Sequence, residues 1–206
     1  MLLDADDSQL VLVDYQTRLM PVIFEQELVV ANAVRLARMA RLMEVPVWGT
    51  AQNPDKLGQN LPEVQAAIDS ARGKTMAKMH FSAASDGLIE WLRPPARKVP
   101  QGNARSLPRH LQKPPEAQEE GRSMVVIAGC EAHVCLLQTA LELLEEEFDV
   151  WVVTDACGSR TERSRDAAFD RLAGAGAELV TTEMVAFEWM RECEHPAFRD
   201  MLALVK

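Results

Sequence analysis

The chain has 206 residues, 48% of them hydrophobic and 26% charged, which suits a soluble globular protein with a large core. Its formal net charge of −9 argues against a nucleic-acid-binding protein, because such proteins neutralise phosphates with basic side chains. No apolar run approaches the roughly 20 residues that a membrane-spanning helix needs. The acidic N-terminal stretch does not resemble a targeting signal, and the four cysteines show neither zinc spacing nor a CxxC pair. We expect one cytoplasmic domain over 1–206, with free thiols and with no nucleic-acid or membrane partner.

Short apolar runs alternate with segments of helical periodicity along the chain. The run 9–15 is almost continuously apolar, as expected for a strand buried on both faces of a parallel sheet, and 25–43 follows with a helical repeat. The other predicted strands are 45–51, 75–78, 123–128, 149–154 and 178–181, and the other predicted helices are 61–70, 87–92, 134–147, 162–173, 183–191 and 196–205. This order predicts right-handed βαβ units in a three-layer α/β/α, Rossmann-like domain. Its six-stranded sheet should be mainly parallel, with helices on both faces.

Residues 94–122 interrupt this alternation. Six of the eleven prolines lie between Pro94 and Pro115, with Arg, Lys, Gln and Asn among them. Such a stretch does not form a regular element and is expected to be a long surface excursion. A tolerated insertion is the favoured interpretation, because closing a longer loop costs little free energy. A lid or an arm between subunits is the alternative.

Asp14, Lys78 and Cys135 each lie at the carboxyl end of a predicted strand. In an open parallel sheet, ligands bind at these ends, near the point where the strand order reverses. Cys135 also lies near the N-terminus of the predicted helix 134–147, whose unpaired N–H groups favour a thiolate and lower a cysteine pKa. Cys135 is therefore the candidate nucleophile. No glycine-rich phosphate loop follows any strand, so no motif indicates a nucleotide site.

Three motifs, in this order, resemble those of the isochorismatase-like cysteine hydrolase superfamily, which includes the nicotinamidases. They are Leu12-Val-Asp14-Tyr-Gln16, Lys78-Met-His-Phe81-Ser82-Ala83 and Gly129-Cys-Glu-Ala-His-Val-Cys135. The segment Asp155–Arg160 resembles a fourth, later motif of the family. The resemblance covers nearly the whole chain apart from the proline-rich excursion, and it is greatest to the isochorismatase domain-containing group.

The resemblance implies an isochorismatase-like fold and a catalytic triad of Asp14, Lys78 and Cys135. It also implies an oxyanion hole formed by the backbone N–H groups of Glu131 and Cys135, with a non-proline cis peptide at Cys130–Glu131. Relatives usually assemble, so a homo-oligomer is expected. Gln16, His80, Phe81 and His133 are the further candidates for contact with a substrate.

The chemistry of the triad can be argued from the residues themselves. Attack of a thiol on an amide needs a base, a cation and donors to the oxyanion. Asp14 can take the proton of Cys135, while Lys78 keeps Asp14 ionised and stabilises the thiolate. Protonated Asp14 can then protonate the leaving nitrogen, and water hydrolyses the thioester. The predicted function is a cofactor-free amidohydrolase that cleaves the C–N bond of a small amide or carbamoyl compound.

Metal dependence is not expected. The resemblance places an Asp-x-His metal pair of nicotinamidases after the second strand, but the matching stretch, 50–58, contains no histidine. Gln52 and Asn53 are poor ligands beside imidazole. The sequence therefore argues against a metal and against nicotinamide as the substrate.

Three alternatives stay open. The chain could be an isochorismatase-type ether hydrolase, a non-catalytic relative that serves as an interaction subunit, or a thiol redox protein using Cys130 and Cys135. The spacing of these two cysteines is not that of a CxxC motif. Alkylation of Cys135 near neutral pH discriminates between the classes, because fast labelling favours an enzyme and no labelling of the folded chain favours an interaction subunit.

Overall fold

A six-stranded parallel sheet forms the centre of the structure, a computed structural model that describes residues 1–94 and 121–206. The strands are β1 (Ser8–Val13), β2 (Val47–Gln52), β3 (Lys74–Lys78), β4 (Met124–Gly129), β5 (Asp149–Val153) and β6 (Glu178–Val180). They lie in the order β3-β2-β1-β4-β5-β6, and every neighbouring pair is parallel. The predicted sheet is confirmed, and its order reverses between β1 and β4.

Helices cover both faces of the sheet. They are α1 (Gln26–Leu42), α2 (Pro54–Leu57), α3 (Pro62–Ser70), α4 (Leu88–Leu92), α5 (Leu137–Glu145), α6 (Glu162–Gly174), α7 (Thr182–Met190) and α8 (Phe198–Val205). Helix α1 packs against α3, α7 and α8, whereas α5 packs against α6. Right-handed crossovers in opposite directions from β1 and β4 place these two groups on opposite faces. The three-layer α/β/α architecture is therefore confirmed.

The two central strands are apolar because they are buried on both faces. Every residue of β1 and of β4 is buried. At the carboxyl end of the pair, Val13 lies beside Gly129. A Cβ atom on Gly129 would collide with the Val13 carbonyl oxygen, so glycine permits this close approach. The two chain segments that leave β1 and β4 consequently begin side by side.

The predicted helix 134–147 begins differently in the structure. A wide π-type turn over Ala132–Leu136 precedes α5, because the N–H groups of Val134 and Leu136 both donate to the Glu131 carbonyl, at 3.0 and 3.3 Å. Cys135 therefore lies inside a helical turn, and the helix ends at Glu145. The short helix α2 was not predicted.

The proline-rich excursion lies almost entirely outside the described residues. Beside it, the Gln9 side-chain amide donates to the carbonyls of Leu92 and Arg122, at 3.0 and 3.2 Å. Gln9 is near the amino end of β1. The two described ends of the chain next to the excursion are thus held at the amino edge of the sheet. Among the helices of the described residues, none has both the length and the apolar composition needed to cross a membrane.

Candidate active site

The candidate site lies at the carboxyl edge of the sheet, where the strand order reverses. Asp14 follows β1, the turn that contains Cys135 follows β4, and Lys78 is the last residue of β3. Lys78 pairs with Gln52 across β2 and β3, so its side chain must extend past β2 to approach β1. This is the position that the doubly wound topology favours for ligand binding.

Asp14 and Lys78 form a buried ion pair. Asp14 Oδ2 lies 2.8 Å from Lys78 Nζ, and neither side chain is exposed to solvent. Asp14 Oδ1 accepts a hydrogen bond from Thr50 Oγ1 at 2.7 Å. No hydrogen-bond donor in the described part of the chain reaches Oδ2 besides this ammonium contact. One oxygen of the carboxylate is therefore positioned by Thr50, and the other faces the cation and can accept a proton.

The Lys78 ammonium is surrounded by oxygen atoms. It donates to Gln52 Oε1 at 2.7 Å, to the Phe81 carbonyl at 2.9 Å and to the His80 carbonyl at 3.3 Å, in addition to its contact with Asp14. An ammonium carries three protons, so these oxygens use all of its donor capacity. The cation is consequently held in one position.

Two glutamine side chains hold the groups around this cation in place. Gln52 Nε2 donates to the Met79 carbonyl at 2.8 Å, which fixes the amide that receives Lys78. The Gln16 side chain accepts from the Gln52 N–H at 2.9 Å and donates to the Gln52 carbonyl at 2.9 Å and to the Gly58 carbonyl at 2.6 Å. Gln16 was expected to contact substrate, but it is fully buried and its amide is used by the backbone. On sequence grounds Gln52 is considered only as a poor metal ligand, although its place at the carboxyl end of β2, next to the first central strand, could have indicated a role in the site.

Cys135 is close to both members of the ion pair. Burial is the largest influence on its thiol and raises its pKa to about 12, and the Asp14 charge adds to the rise while the Lys78 charge opposes it. The predicted lowering of this pKa is wrong, because the side chain is almost enclosed and stands beside a carboxylate. The thiol is protonated at neutral pH, so its reaction as a nucleophile requires transfer of a proton.

The turn between β4 and Cys135 has the backbone geometry that the resemblance implied. The Cys130–Glu131 peptide bond is cis. The Glu131 N–H donates to no acceptor within residues 1–94 and 121–206, whereas the next N–H, that of Ala132, donates to the Gly158 carbonyl at 2.7 Å. The Glu131 carboxylate accepts from Arg160 Nε at 2.7 Å. A free backbone donor therefore lies in the same turn as Cys135, the candidate nucleophile.

The other candidate residues lie around the site and not within it. His80 is 67% exposed and its Nδ1 lies 2.8 Å from Asp86, away from Lys78, because β3 ends at Lys78 and strand alternation no longer applies. The Phe81 ring is exposed while its carbonyl binds Lys78. His133 Nδ1 lies 2.9 Å from the Ser159 hydroxyl. The structure thus brings together Asp14, Lys78 and Cys135, and it directs the His80 side chain away from them.

The residues after β2 do not fit a metal ion. The Gln52 amide is used by Lys78 and Met79, and the Asn53 backbone is left-handed, with φ 36°. Within residues 1–94 and 121–206 no group of three or more His, Cys, Asp or Glu side chains is arranged to hold a metal.

Comparison with known proteins identifies relatives over almost the full length. The isochorismatase domain family model matches residues 116–184. Isochorismatase domain-containing protein 2A of Mus musculus is 31% identical over 201 residues, which cover 98% of this chain and 84% of that protein. Isochorismatase domain-containing protein 2 of Bos taurus is 33% identical over 199 residues, covering 97% and 83%.

Solved structures agree with this result. The MAR1 ribonuclease of Caenorhabditis elegans is 26% identical with a TM-score of 0.83, and the match covers 100% of this chain and 92% of that one. YcaC of Pseudomonas aeruginosa, solved with hexane-2,5-diol and covalent acrylamide, is 26% identical with a TM-score of 0.78, covering 98% and 91%. YcaC of Escherichia coli, described as an octameric hydrolase of unknown specificity, is 25% identical with a TM-score of 0.76, covering 98% and 95%.

Proposed function

The chain belongs to the isochorismatase-like hydrolase superfamily, in the group of isochorismatase domain-containing proteins, and on this basis we propose that it is a metal-free cysteine amidohydrolase. Its substrate would be a small amide or carbamoyl compound. The observation that carries the proposal is the burial of a carboxylate, an ammonium and a thiol together where the strand order reverses. A buried ion pair adds little stability, so its retention next to a nucleophilic residue favours a catalytic role.

In the proposed reaction, Asp14 removes the thiol proton of Cys135 as the sulfur attacks the carbonyl carbon of the substrate. The oxyanion accepts hydrogen bonds from the Glu131 and Cys135 N–H groups. The C–N bond then breaks, and Asp14 gives its proton to the leaving nitrogen. In the second half, Asp14 takes a proton from water as the hydroxide attacks the thioester, and it returns this proton to the sulfur, which leaves as the thiol. The product is a carboxylic acid, which loses its proton to solvent.

The electrostatics of the site support this division of roles. The raised pKa of Cys135 keeps the thiol protonated in the resting site, so a base is needed. Asp14 Oδ2 is available for that proton, and Lys78 is positioned to stabilise the negative charge wherever it resides. Keeping the cysteine favours C–N cleavage over ether hydrolysis by direct water attack, which does not need a thiol.

Further properties are proposed from the comparisons and the charge. The octameric state described for Escherichia coli YcaC supports a homo-oligomer here as well, which light scattering on the purified chain would test. A relative is described as a ribonuclease, but the net charge of −9 favours a small molecule over RNA as the substrate. We place the enzyme in the cytoplasm.

The test is a panel of small amides and carbamoyl compounds with detection of released ammonia. Cys135→Ala should lower turnover of the substrate that is found by more than about 10³-fold, because no other group replaces the nucleophile. Cys130→Ala is the matched control, since it removes a buried thiol from the same turn. It should cost about 1 kcal/mol of stability and keep activity. A Cys135→Ala variant with the wild-type rate would instead favour the ether hydrolase.

A further inference from the structure

Two segments must meet for Lys78 to act on Cys135, and they come from opposite halves of the sheet. The loop 79–86 follows β3, whereas α5 continues the turn that contains Cys135. The Thr139 hydroxyl joins them, because it donates to the Cys135 carbonyl at 2.7 Å and accepts from the Ala83 N–H at 3.0 Å. Thr139 and Ala83 are fully buried.

Glu142, almost one turn further along α5, makes a second connection to the same loop. Its Oε2 accepts from the Ser82 hydroxyl at 2.7 Å and from the Ser85 hydroxyl at 3.0 Å. The Ser82 oxygen also accepts from the Ala84 N–H at 3.2 Å. The loop is therefore attached to α5 by two adjacent side chains.

The connection leads directly to the cation. Phe81, the residue before Ser82, provides the carbonyl that accepts from the Lys78 ammonium at 2.9 Å. A threonine hydroxyl that bonds only to its own helix is ordinary. The Thr139 hydroxyl differs because it also satisfies a buried N–H from another element, and that element binds Lys78.

We infer that Thr139 is a positioning residue for the proposed reaction and that, supported by Glu142, it sets the position of the Lys78 ammonium relative to Cys135. The inference rests on the proposed function. Without the hydroxyl, the buried Ala83 N–H loses its acceptor, which is unfavourable, and the loop moves toward water to satisfy it. The Phe81 carbonyl and the ammonium then move away from the sulfur, and the thiolate is less stabilised.

The experiment compares Thr139→Val with Thr139→Ser. Acrylamide is the probe, and its adduct on Cys135 is quantified by peptide mass spectrometry between pH 7 and 9, because Cys193 is exposed and can be labelled as well. Thr139→Val should label Cys135 about tenfold more slowly at each pH, the loss expected for one hydrogen bond in this position. Thr139→Ser retains the hydroxyl and should restore the rate to within about threefold.

Leu143→Val is the control for general destabilisation. Leu143 is buried on the same helix, and its side chain makes none of the hydrogen bonds to the loop. This variant should lower the melting temperature while changing Cys135 labelling by less than about twofold. If Cys135 is labelled at the same rate in Thr139→Val as in Leu143→Val, the inference is overturned.

A variant that perturbs the fold less keeps the test decisive. Ser82→Ala removes one of the two hydroxyl contacts to Glu142, together with the acceptor of the Ala84 N–H, and should slow labelling in the same direction by a smaller factor. If Thr139→Val does not fold and Ser82→Ala labels at the wild-type rate, the inference also fails. The proposed function would be overturned by a different result, a Cys135→Ala variant that still turns over the substrate. The two failures are distinguishable because acrylamide labelling of Cys135 does not require substrate turnover.

Discussion

Lys78 and Asp14 illustrate how single residues acquire a role from their surroundings. Both charges are removed from water, which costs several kcal/mol for each ion and is offset by their contact and by further hydrogen bonds. Gln52 provides the only side-chain amide oxygen at the ammonium within the described residues. It also holds the Met79 carbonyl, so it connects the cation to the loop that follows.

Replacing Gln52 by leucine tests its importance at this scale. We expect Gln52→Leu to lower the free energy of unfolding by about 2 kcal/mol, because a buried ammonium loses a hydrogen-bond acceptor. Turnover should fall as the ammonium loses its fixed position. Urea unfolding measures the stability change. Gln138→Leu, an exposed change on α5, is the control and should stay within about 0.5 kcal/mol of wild type. Equal stability of the two variants would contradict the assignment.

Metal content is a second prediction at the residue scale. Since Gln52 is used by Lys78 and Met79, we expect the purified protein to contain no stoichiometric zinc, iron or manganese. Elemental analysis after purification without chelators provides the measurement. One tightly bound metal ion per chain would refute this prediction and would bring nicotinamide-like substrates back into consideration.

At the scale of elements, the loop between β3 and α4 is shaped by one carboxylate. Asp86 accepts from the N–H groups of Met79 and His80, at 2.6 and 2.9 Å, and contacts His80 Nδ1 at 2.8 Å. The hydrogen bond from the His80 side chain is the largest cause that lowers the pKa of Asp86. Because the His80 carbonyl accepts a hydrogen bond from Lys78, the conformation of this loop affects the position of the Lys78 ammonium.

The substitution Asp86→Asn should therefore weaken the loop and slow turnover. A carboxyl group whose pKa is lower in the folded state stabilises the fold above its unfolded pKa of about 3.9, and this contribution is lost as the pH falls through the lowered value. We expect Asp86→Asn to have a lower urea midpoint than wild type at pH 7, with the difference disappearing below about pH 4. Asp170→Asn, an exposed change on α6, is the control. A constant difference from pH 7 to pH 3 would count against this account.

On the scale of the whole molecule, the core contains several thiol and phenol groups whose pKa is raised by burial. Burial raises the pKa of Cys157 to about 12, as it does for Cys135, and it also raises the pKa of Cys130 and of Tyr15. Tyr15 nevertheless has a partner, since its hydroxyl donates to the Ala156 carbonyl at 2.6 Å. The fold therefore prefers the protonated form of four groups near the centre of the sheet.

Alkaline pH should consequently destabilise the protein. Unfolded thiols ionise near pH 8.5, whereas the buried thiols keep their protons, so the unfolded state binds fewer protons and stability falls as the pH rises from about 9 toward 12. Each such group contributes a slope of up to about 1.4 kcal/mol per pH unit. Urea unfolding under reducing conditions at several pH values gives the total slope. Cys157→Ala should reduce the slope by about the contribution of one ionisable group. If the slope of this variant equals that of the wild type, this explanation is refuted.

Local pattern was sufficient to predict the six strands and most of the helices, although not α2 or the wide turn before α5. Strands buried on both faces of a parallel sheet must be apolar on both sides, so the runs 9–15 and 123–128 could be recognised without the structure. The positions of Asp14 and Lys78 near strand ends followed from the predicted strands 9–15 and 75–78. Cys135 followed from its place near the N-terminus of the predicted helix 134–147, whereas the cis peptide at Cys130–Glu131 was implied by the resemblance to the isochorismatase-like superfamily.

Only the tertiary structure decided how these groups act on one another. Lys78 meets Gln52 across 26 residues and Asp14 meets Thr50 across 36, and no local pattern specifies contacts over such separations. The same holds for burial, which reversed the expected shift in the Cys135 pKa, and for the end of β3, which turned the His80 side chain away from Lys78. Periodicity depends on neighbours along the chain, whereas hydrogen-bond partners and dielectric environment depend on the elements that pack around a residue, and these are determined when the sheet is assembled.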